Sequence, residues 1–407
     1  MSKRKRILII SAVFPPEQVT SAYLNYDLAH ELAKKYDVTV VRPYPTRPAG
    51  SRFENADVED SSFKTVLVDS YTHPKPSILG RIIESIDFGR KSIRYIKQHH
   101  NEVDFVYNDG WHLFGLYLVA RACVKYEIPY IVPIQDIYPE CLLTKSSLPG
   151  CIRAIIKNIL LPIDKYYQRN AAKVRTISNE MANYLSNTRK IGSSNYFVVN
   201  NWQNDEDFVN AEKKTGNQHI IFEYVGSINE HANVDMMIKA FSDANIPDSE
   251  MRIYGSGNRK ETCKKLVNDL KLDNVTFDFV SRNEIPRVQS YADVLLLALP
   301  KGNGNLCLPS KLTSYMLSGR PVIASVDKDS ATSRIIENEQ CGFIVEPDNL
   351  DDMIFAFKSF AMLSSEKREM MSNNSRNYAL RHLTREVNLN IVVNEINNIL
   401  GEWQKKR

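Results

Sequence analysis

The chain has 407 residues, 43% of them hydrophobic and 25% charged, with a mean hydropathy of −0.33. This is an ordinary globular composition, which excludes a disordered chain, a collagen-like chain and a coiled coil. The net charge of +4 is uneven, +8 over residues 1–200 and −4 over the remainder, and a basic first half points to an anionic partner such as a membrane surface, a phosphorylated lipid or nucleic acid.

One hydrophobic core rarely grows past about 250–300 residues, so the length predicts two domains. The start, Lys3-Arg4-Lys5-Arg6 followed by Ile7-Leu8-Ile9-Ile10, imitates a secretory signal, but Pro15-Pro16-Glu17 follows with no small-residue cleavage site. Residues 7–12 read instead as a strand buried on both faces. Leu24, Leu28, Leu32 and Ala33 share one face of a predicted helix over 21–35. Strands are predicted at 38–41, 63–68, 103–107 and 130–134, with helices at 78–99 and 113–125. Strand–helix alternation of this kind predicts a parallel sheet covered on both faces. The order restarts with strands at 220–225, 251–254, 275–279, 294–298 and 321–324. Helices are predicted between them at 234–244, 260–272, 285–291 and 310–318, then at 335–337, 350–363, 365–380 and 386–400. Residues 201–216 are polar and read as a linker. The expected fold is α/β: two doubly wound, Rossmann-like domains, 1–200 and 217–385, facing a central cleft. Helix 386–407 is expected to pack back on the first domain. In such sheets ligands sit at the carboxyl ends of the strands, so the loops after the strands should hold the chemistry.

No apolar run approaches the roughly 18–20 residues that span a bilayer. The six cysteines form no C-x-x-C pair, which argues against a zinc knuckle or a disulfide framework and fits reduced thiols in a cytoplasm.

Pro309-Ser310-Lys311-Leu312-Thr313-Ser314-Tyr315-Met316-Leu317-Ser318-Gly319-Arg320-Pro321 resembles the donor-site signature of family 4 (group 1) retaining glycosyltransferases of the GT-B fold. The likeness is closest to the bacterial branch that builds O-antigen, capsule and other surface polysaccharides. It extends over nearly the whole chain, through Pro133-Ile134-Gln135-Asp136-Ile137-Tyr138-Pro139-Glu140, Tyr224-Val225-Gly226-Ser227 and Tyr291-Ala292-Asp293-Val294 in family order. The chain also departs from the family. Leu306 and Ser314 stand where many members carry two glutamates, and Ser227 and Asn233 where many carry Arg and Lys. Gln135 replaces a common His.

The resemblance implies a glycosyltransferase of hexosyl or N-acetylhexosaminyl type. Its donor is a nucleotide-diphosphate sugar, most simply UDP-linked, bound in the C-terminal domain. Its acceptor is a lipid-linked or other saccharide, bound in the N-terminal domain. The rivals are a sugar-nucleotide epimerase of the same fold and a catalytically inactive sugar-nucleotide-binding protein. Pro309 suits a first helical turn, and the free N–H groups and dipole there make an anion site. Ser310 and the catalytic candidate Lys311 add a hydroxyl and a charge that hold a diphosphate without metal, after the glycine-bearing run Gly302-Asn303-Gly304-Asn305. Gly226, Ser227 and Asn229 are candidate donors to the phosphates or the sugar, or else a tight turn. Gly255-Ser256-Gly257 lacks the third glycine of a dinucleotide site and reads as a turn. By the resemblance Arg282 lies near the nucleobase, Ser314 at the donor helix, and Glu337 where the family often has an acid.

Asp136, beside Gln135 and Tyr138, is the candidate for acceptor hydroxyls or for positive charge at the anomeric carbon, or else a helix N-cap. Asp205-Glu206-Asp207 is a D-x-D in the polar linker and reads as surface charge, so no metal is expected. Two basic amphipathic stretches are candidates for an anionic membrane surface. The first holds Arg81, Arg90, Lys91, Arg94 and Lys97; the second holds Arg153, Lys157, Lys165, Arg169, Lys173 and Arg175. Neither carries a nucleic-acid motif. The implied location is cytoplasmic, peripheral at the inner face of the plasma membrane.

Overall fold

The structure, a computed structural model, describes residues 4–17, 19–47, 60–73, 77–144, 148–212, 219–302 and 309–406. The chain divides into two compact units, Met1–Val199 with Leu389–Arg407, and Asn200–Asn388.

The first unit holds strands β1 (Arg6–Ser11), β2 (Asp37–Pro43), β3 (Lys64–Val68), β4 (Phe105–Asp109), β5 (Tyr130–Pro133), β6 (Lys173–Thr176) and β7 (Tyr196–Val198). Its helices are α1 (Thr20–Ala33), α2 (Ile78–His99), α3 (Phe114–Lys125), α4 (Glu140–Thr144), α5 (Gly150–Arg169) and α6 (Asn179–Arg189). The sheet runs in the order β3-β2-β1-β4-β5-β6-β7, and each pair is parallel. β1 is central, which explains why Ile7, Leu8, Ile9 and Ile10 are all buried: both faces of that strand are covered. The strand order reverses between β1 and β4, where Ser11 lies opposite Asp109 in register.

The second unit opens with α7 (Asp205–Val209), inside the stretch that reads as a linker in the sequence; Phe208 buries it in the unit's core. Its strands are β8 (Ile220–Val225), β9 (Ser249–Tyr254), β10 (Val275–Asp278), β11 (Val294–Ala298), β12 (Val322–Ser325) and β13 (Gly342–Val345). Its helices are α8 (Val234–Ala244), α9 (Lys260–Asp269), α10 (Ile285–Tyr291), α11 (Ser310–Leu317), α12 (Ala331–Asn338), α13 (Leu350–Ala361) and α14 (Ser365–His382). The parallel order β10-β9-β8-β11-β12-β13 reverses between β8 and β11. Alternate residues of β8 feed two cores: Phe222 and Tyr224 face α8 and α13, and Ile221 and Val225 face α10 and α11.

The last helix, α15 (Arg385–Lys406), carries Leu389–Arg407 into the first unit. There Glu395 pairs with Lys173 at 3.6 Å, and Asn397 accepts from Lys35 at 3.1 Å.

Candidate active site

In the second unit, β8 ends at Gly226, at the point where strand order reverses. Its φ of 151° favours glycine, and a Cβ there would lie 2.3 Å from Cε of Lys311 and 2.7 Å from its Nζ. Glycine therefore lets the Lys311 side chain lie across the loop. The neighbouring loop after β9 passes equally close. The Gly226 amide donates to Tyr254 O at 2.8 Å, and a Cβ on Gly255 would meet Gly226 O at 1.9 Å. The G-x-G there serves close backbone approach.

Lys311 Nζ donates to the Tyr224 hydroxyl at 2.5 Å and stands 4.4 Å from the centre of that ring. The hydroxyl in turn donates to Ser227 O at 2.7 Å. No carboxylate pairs with Lys311 among the described residues. Burial, uncompensated by any negative charge, lowers the ammonium from its usual range to about 8. A phenol oxygen and a π face replace only part of the water it has lost, so an arriving anion would meet an under-compensated cation.

Lys311 lies in the first turn of α11. Pro309 is the cap residue rather than the first helical residue, and it offers no side-chain acceptor. Leu312 N bonds Pro309 O at 3.0 Å, but the amides of Ser310 and Lys311 have no partner among the described residues. Ser310 is exposed. The start of α11, Lys311 and Gly226 thus come together.

Other expected donor residues are less concentrated. Ser227 is exposed on the same loop. Asn229 Oδ1 is engaged by the amides of His231 and Ala232 at 3.0 and 3.1 Å, which makes it a turn former. Arg282 is exposed after β10, the edge strand two places from β8. Ser314 is buried facing α10: its hydroxyl donates to Lys311 O at 3.0 Å and accepts from Gln289 at 3.4 Å. Glu337 is exposed near the C-terminal end of α12, six residues and roughly 9 Å along the axis from the helix start that stands at the sheet's carboxyl edge. Ser314 and Glu337 therefore do not join the Lys311 group. Leu306 and Gly304 lie outside the described residues.

In the first unit, Gln135, Asp136 and Tyr138 follow β5 at the carboxyl edge. Asp136 is exposed with no hydrogen-bond partner among the described residues, so it does not act as a cap. Tyr138 stacks on His112, ring centres 4.6 Å apart and planes 19° from parallel. Burial pushes the Tyr138 hydroxyl up to about 12, helped by the charge of Asp136. Burial also holds His112 below its ordinary value, against the opposing pull of Asp136. The loop is fixed from behind by Arg189, a fully buried residue at the end of α6. It donates to Tyr138 O at 2.7 Å, to both oxygens of Glu140 at 2.8 Å, and to Asp164 at 2.6 Å.

Sequence reasoning missed Asp109, the last residue of β4 at the β1/β4 reversal. Its carboxylate accepts from Asn25 at 2.6 Å, and burial raises it to about 6 in spite of Asn25 and Arg175. The available signal was an acid ending an apolar run before Gly110. It missed His112 and Tyr224 too, whose roles come from neighbours remote in sequence. Among the described residues, no three His, Cys, Asp or Glu side chains gather where they could hold a metal. The D-x-D lies in the first turn of α7, with Asp205 accepting from Arg385 N at 3.2 Å and Asp207 from Asn204 at 2.6 Å.

Two family models match the chain: glycosyltransferase family 4 over residues 22–206, and glycosyl transferases group 1 over residues 204–378. A curated relative, the putative colanic acid biosynthesis glycosyl transferase WcaI of Escherichia coli K12, is 22% identical across 97% of this chain and all of the relative. Among solved structures, Anabaena Alr3699/HepE in complex with UDP superposes with a TM-score of 0.69 at 12% identity, covering 97% of this chain and all of that one. Sucrose-phosphate synthase from Thermosynechococcus elongatus gives 0.73 at 14% identity, covering 98% of this chain and all of that one. These likenesses give the GT-B fold.

Proposed function

The chain belongs to the group 1, family 4 glycosyltransferases, and from that premise we propose that it moves a sugar from a UDP-sugar to a hydroxyl of a lipid-linked saccharide in bacterial surface-polysaccharide synthesis. The second unit binds the donor and the first binds the acceptor. The bond between the anomeric carbon and the β-phosphate oxygen breaks, and its electron pair stays on that oxygen. The acceptor oxygen bonds the same face of the anomeric carbon, and its proton passes to the departing phosphate, so configuration is retained.

One observation carries this reading: a half-buried ammonium, with no carboxylate beside it among the described residues, lying over Gly226 at the uncapped start of α11. Fixed positive charge at the point where negative charge develops is the preorganised term that lowers such barriers. The relative named for colanic acid and the neighbour holding UDP support the pathway and the nucleotide. A charge-assisted contact is worth about 1.5–3 kcal/mol, so Lys311→Ala should weaken UDP roughly 10- to 150-fold with the fold intact. Unchanged affinity on calorimetric titration removes Lys311 from the site. Because the helix start and Lys311 supply the charge, transfer should persist in EDTA. Loss of activity restored by Mn²⁺ would reverse that part.

The same reading places the enzyme peripherally at the inner face of the membrane. No described helix is long and apolar enough to cross one. The support is the outer face of α5, where Ile155 and Ile159 are 59% and 64% exposed beside Arg153.

A further inference from the structure

A second cationic group, made of residues other than Gln135, Asp136 and Tyr138, stands at the carboxyl edge of the first unit. Arg47 follows β2 and Arg81 lies in the first turn of α2. Both guanidinium groups bond one carboxylate oxygen of Glu84, at 3.1 and 3.0 Å. Glu84 is buried, and its other oxygen accepts from His73 N at 2.6 Å. Trp111, in the loop after β4, packs against both: its ring centre is 4.1 Å from Cζ of Arg47 and 5.6 Å from Cζ of Arg81. The Arg47 backbone is tied down as well, its amide donating to the buried Glu17 at 2.9 Å.

Neutralising Glu84 needs one cation, and two are supplied. Each guanidinium has five N–H donors in a fixed plane, and each uses one on Glu84. Apart from Glu84 and the Trp111 ring, no partner engages these side chains among the described residues. Two rigid forks with a surplus positive charge match the oxygens of a phosphate better than lysines would, because bidentate recognition needs a planar donor pair. Arg81 also lies close enough to lower the Tyr138 hydroxyl against the effect of burial, which sets this group beside the acceptor residues.

We propose that Arg47 and Arg81, braced by Glu84 and Trp111, are a clamp for the phosphate that joins the acceptor sugar to its lipid carrier. This rests on the first unit being the acceptor-binding unit. The phosphate could equally belong to a bilayer headgroup, and the test separates the two sources. The full chain, with UDP saturating so that the donor site is filled, is titrated with geranyl diphosphate and separately with phosphatidylglycerol vesicles. Geranyl diphosphate should bind the wild type, and R47A and R81A should each weaken it tenfold or more. Each single variant leaves Glu84 one arginine, which protects the fold. The double variant R47K/R81K keeps both charges and loses only the forks, and it should weaken the probe similarly with an unchanged melting temperature. Equal affinity in wild type and variants overturns the clamp. So does vesicle binding that falls in the variants while geranyl diphosphate affinity stays, because the arginines then meet headgroups. The two readings fail separately: UDP that does not bind the wild type sinks the donor site, and geranyl diphosphate that does not bind it sinks the clamp.

Discussion

Lys311 holds its charge where the protein gives it little return. In the free chain its ammonium is lowered to about 8 by burial alone. A bound diphosphate would favour the charged form, so binding at high pH must draw a proton from solvent. UDP affinity should therefore be flat below about pH 7.5 and fall as pH rises through 8, by up to tenfold per unit. The free protein should move the other way. Its folded-state value lies below the unfolded one near 10.5, so the unfolded chain binds more protons between pH 8 and 10.5, and this residue's penalty on stability is relieved there. Titrations of UDP at pH 7, 8 and 9 check the first statement. An affinity constant across that range means that the phosphates do not meet Lys311. Lys311→Ala should flatten the profile.

At the scale of elements, the loop bearing Asp136 is held by one buried cation shared among three elements. Arg189 on α6 reaches Glu140 on α4, Asp164 on α5 and the carbonyl of Tyr138. Removing one member of such a group strands the others, at about 3–5 kcal/mol. Arg189→Met should thus lower the unfolding temperature of the first unit by on the order of 10 °C. UDP binding by the second unit should survive at temperatures where the variant stays folded. A melting curve that matches wild type would show that Glu140 and Asp164 find other partners. The elements that sequence patterning located well are the buried ones. β1 and β11 carry continuous apolar runs because both of their faces are covered, β8 is interrupted only by Glu223, and α8 is strongly one-sided. The elements it missed, which also include β6, α4 and α6, lack that signature. β13 is an edge strand with three half-buried residues, β7 has three residues, and α7 has a single buried anchor in Phe208. The site divides in the same way. Gly226 and Lys311 announce themselves through a strand-ending glycine and a helix start. Burial raises the Asp109 carboxyl against the hydrogen bond it accepts from Asn25, 84 residues earlier, a pairing that only the sheet order creates. Ser314 was set at the donor helix by the resemblance alone, but its hydroxyl is engaged by Lys311 O and by Gln289 of α10.

Across the whole molecule, the charge is divided, +8 over residues 1–200 and −4 beyond, and the structure changes which of those charges can meet a membrane. Arg175 is buried on Tyr107, Lys157 pairs with Glu140, and Lys173 pairs with Glu395. They are poor candidates for headgroup contacts. On α2 the exposed apolar residues Ile78, Leu79 and Ile83 occupy the first turns, whereas Arg90, Lys91, Arg94 and Lys97 come later. Ile83 and Arg90, the nearest members, are about 10 Å apart along the axis, and Ile78 and Lys97 about 28 Å, so the two groups are offset along the helix rather than sharing one patch. On α5 the two properties coincide. Ile152, Ile155 and Ile159 recur at helical spacing on an exposed face, with Arg153 among them. α2 and α5 both pack against α3, and both begin at the carboxyl edge of the sheet, where the proposed acceptor residues Gln135, Asp136 and Tyr138 stand. Burying a half-exposed isoleucine in lipid is worth about 1–2 kcal/mol, and a basic residue near an anionic surface about 1 kcal/mol. Two isoleucines and one or two cations therefore suffice for reversible attachment. The chain should sediment with vesicles rich in phosphatidylglycerol at low salt and partly resist elution by salt, because the apolar share is not screened. Ile155→Ser with Ile159→Ser should abolish sedimentation and leave UDP affinity unchanged, whereas reversing Arg90, Lys91, Arg94 and Lys97 to glutamate should reduce it only modestly. If the four reversals abolish binding and the serine pair does not, attachment is electrostatic through the later turns of α2, and the exposed face of α5 has another purpose.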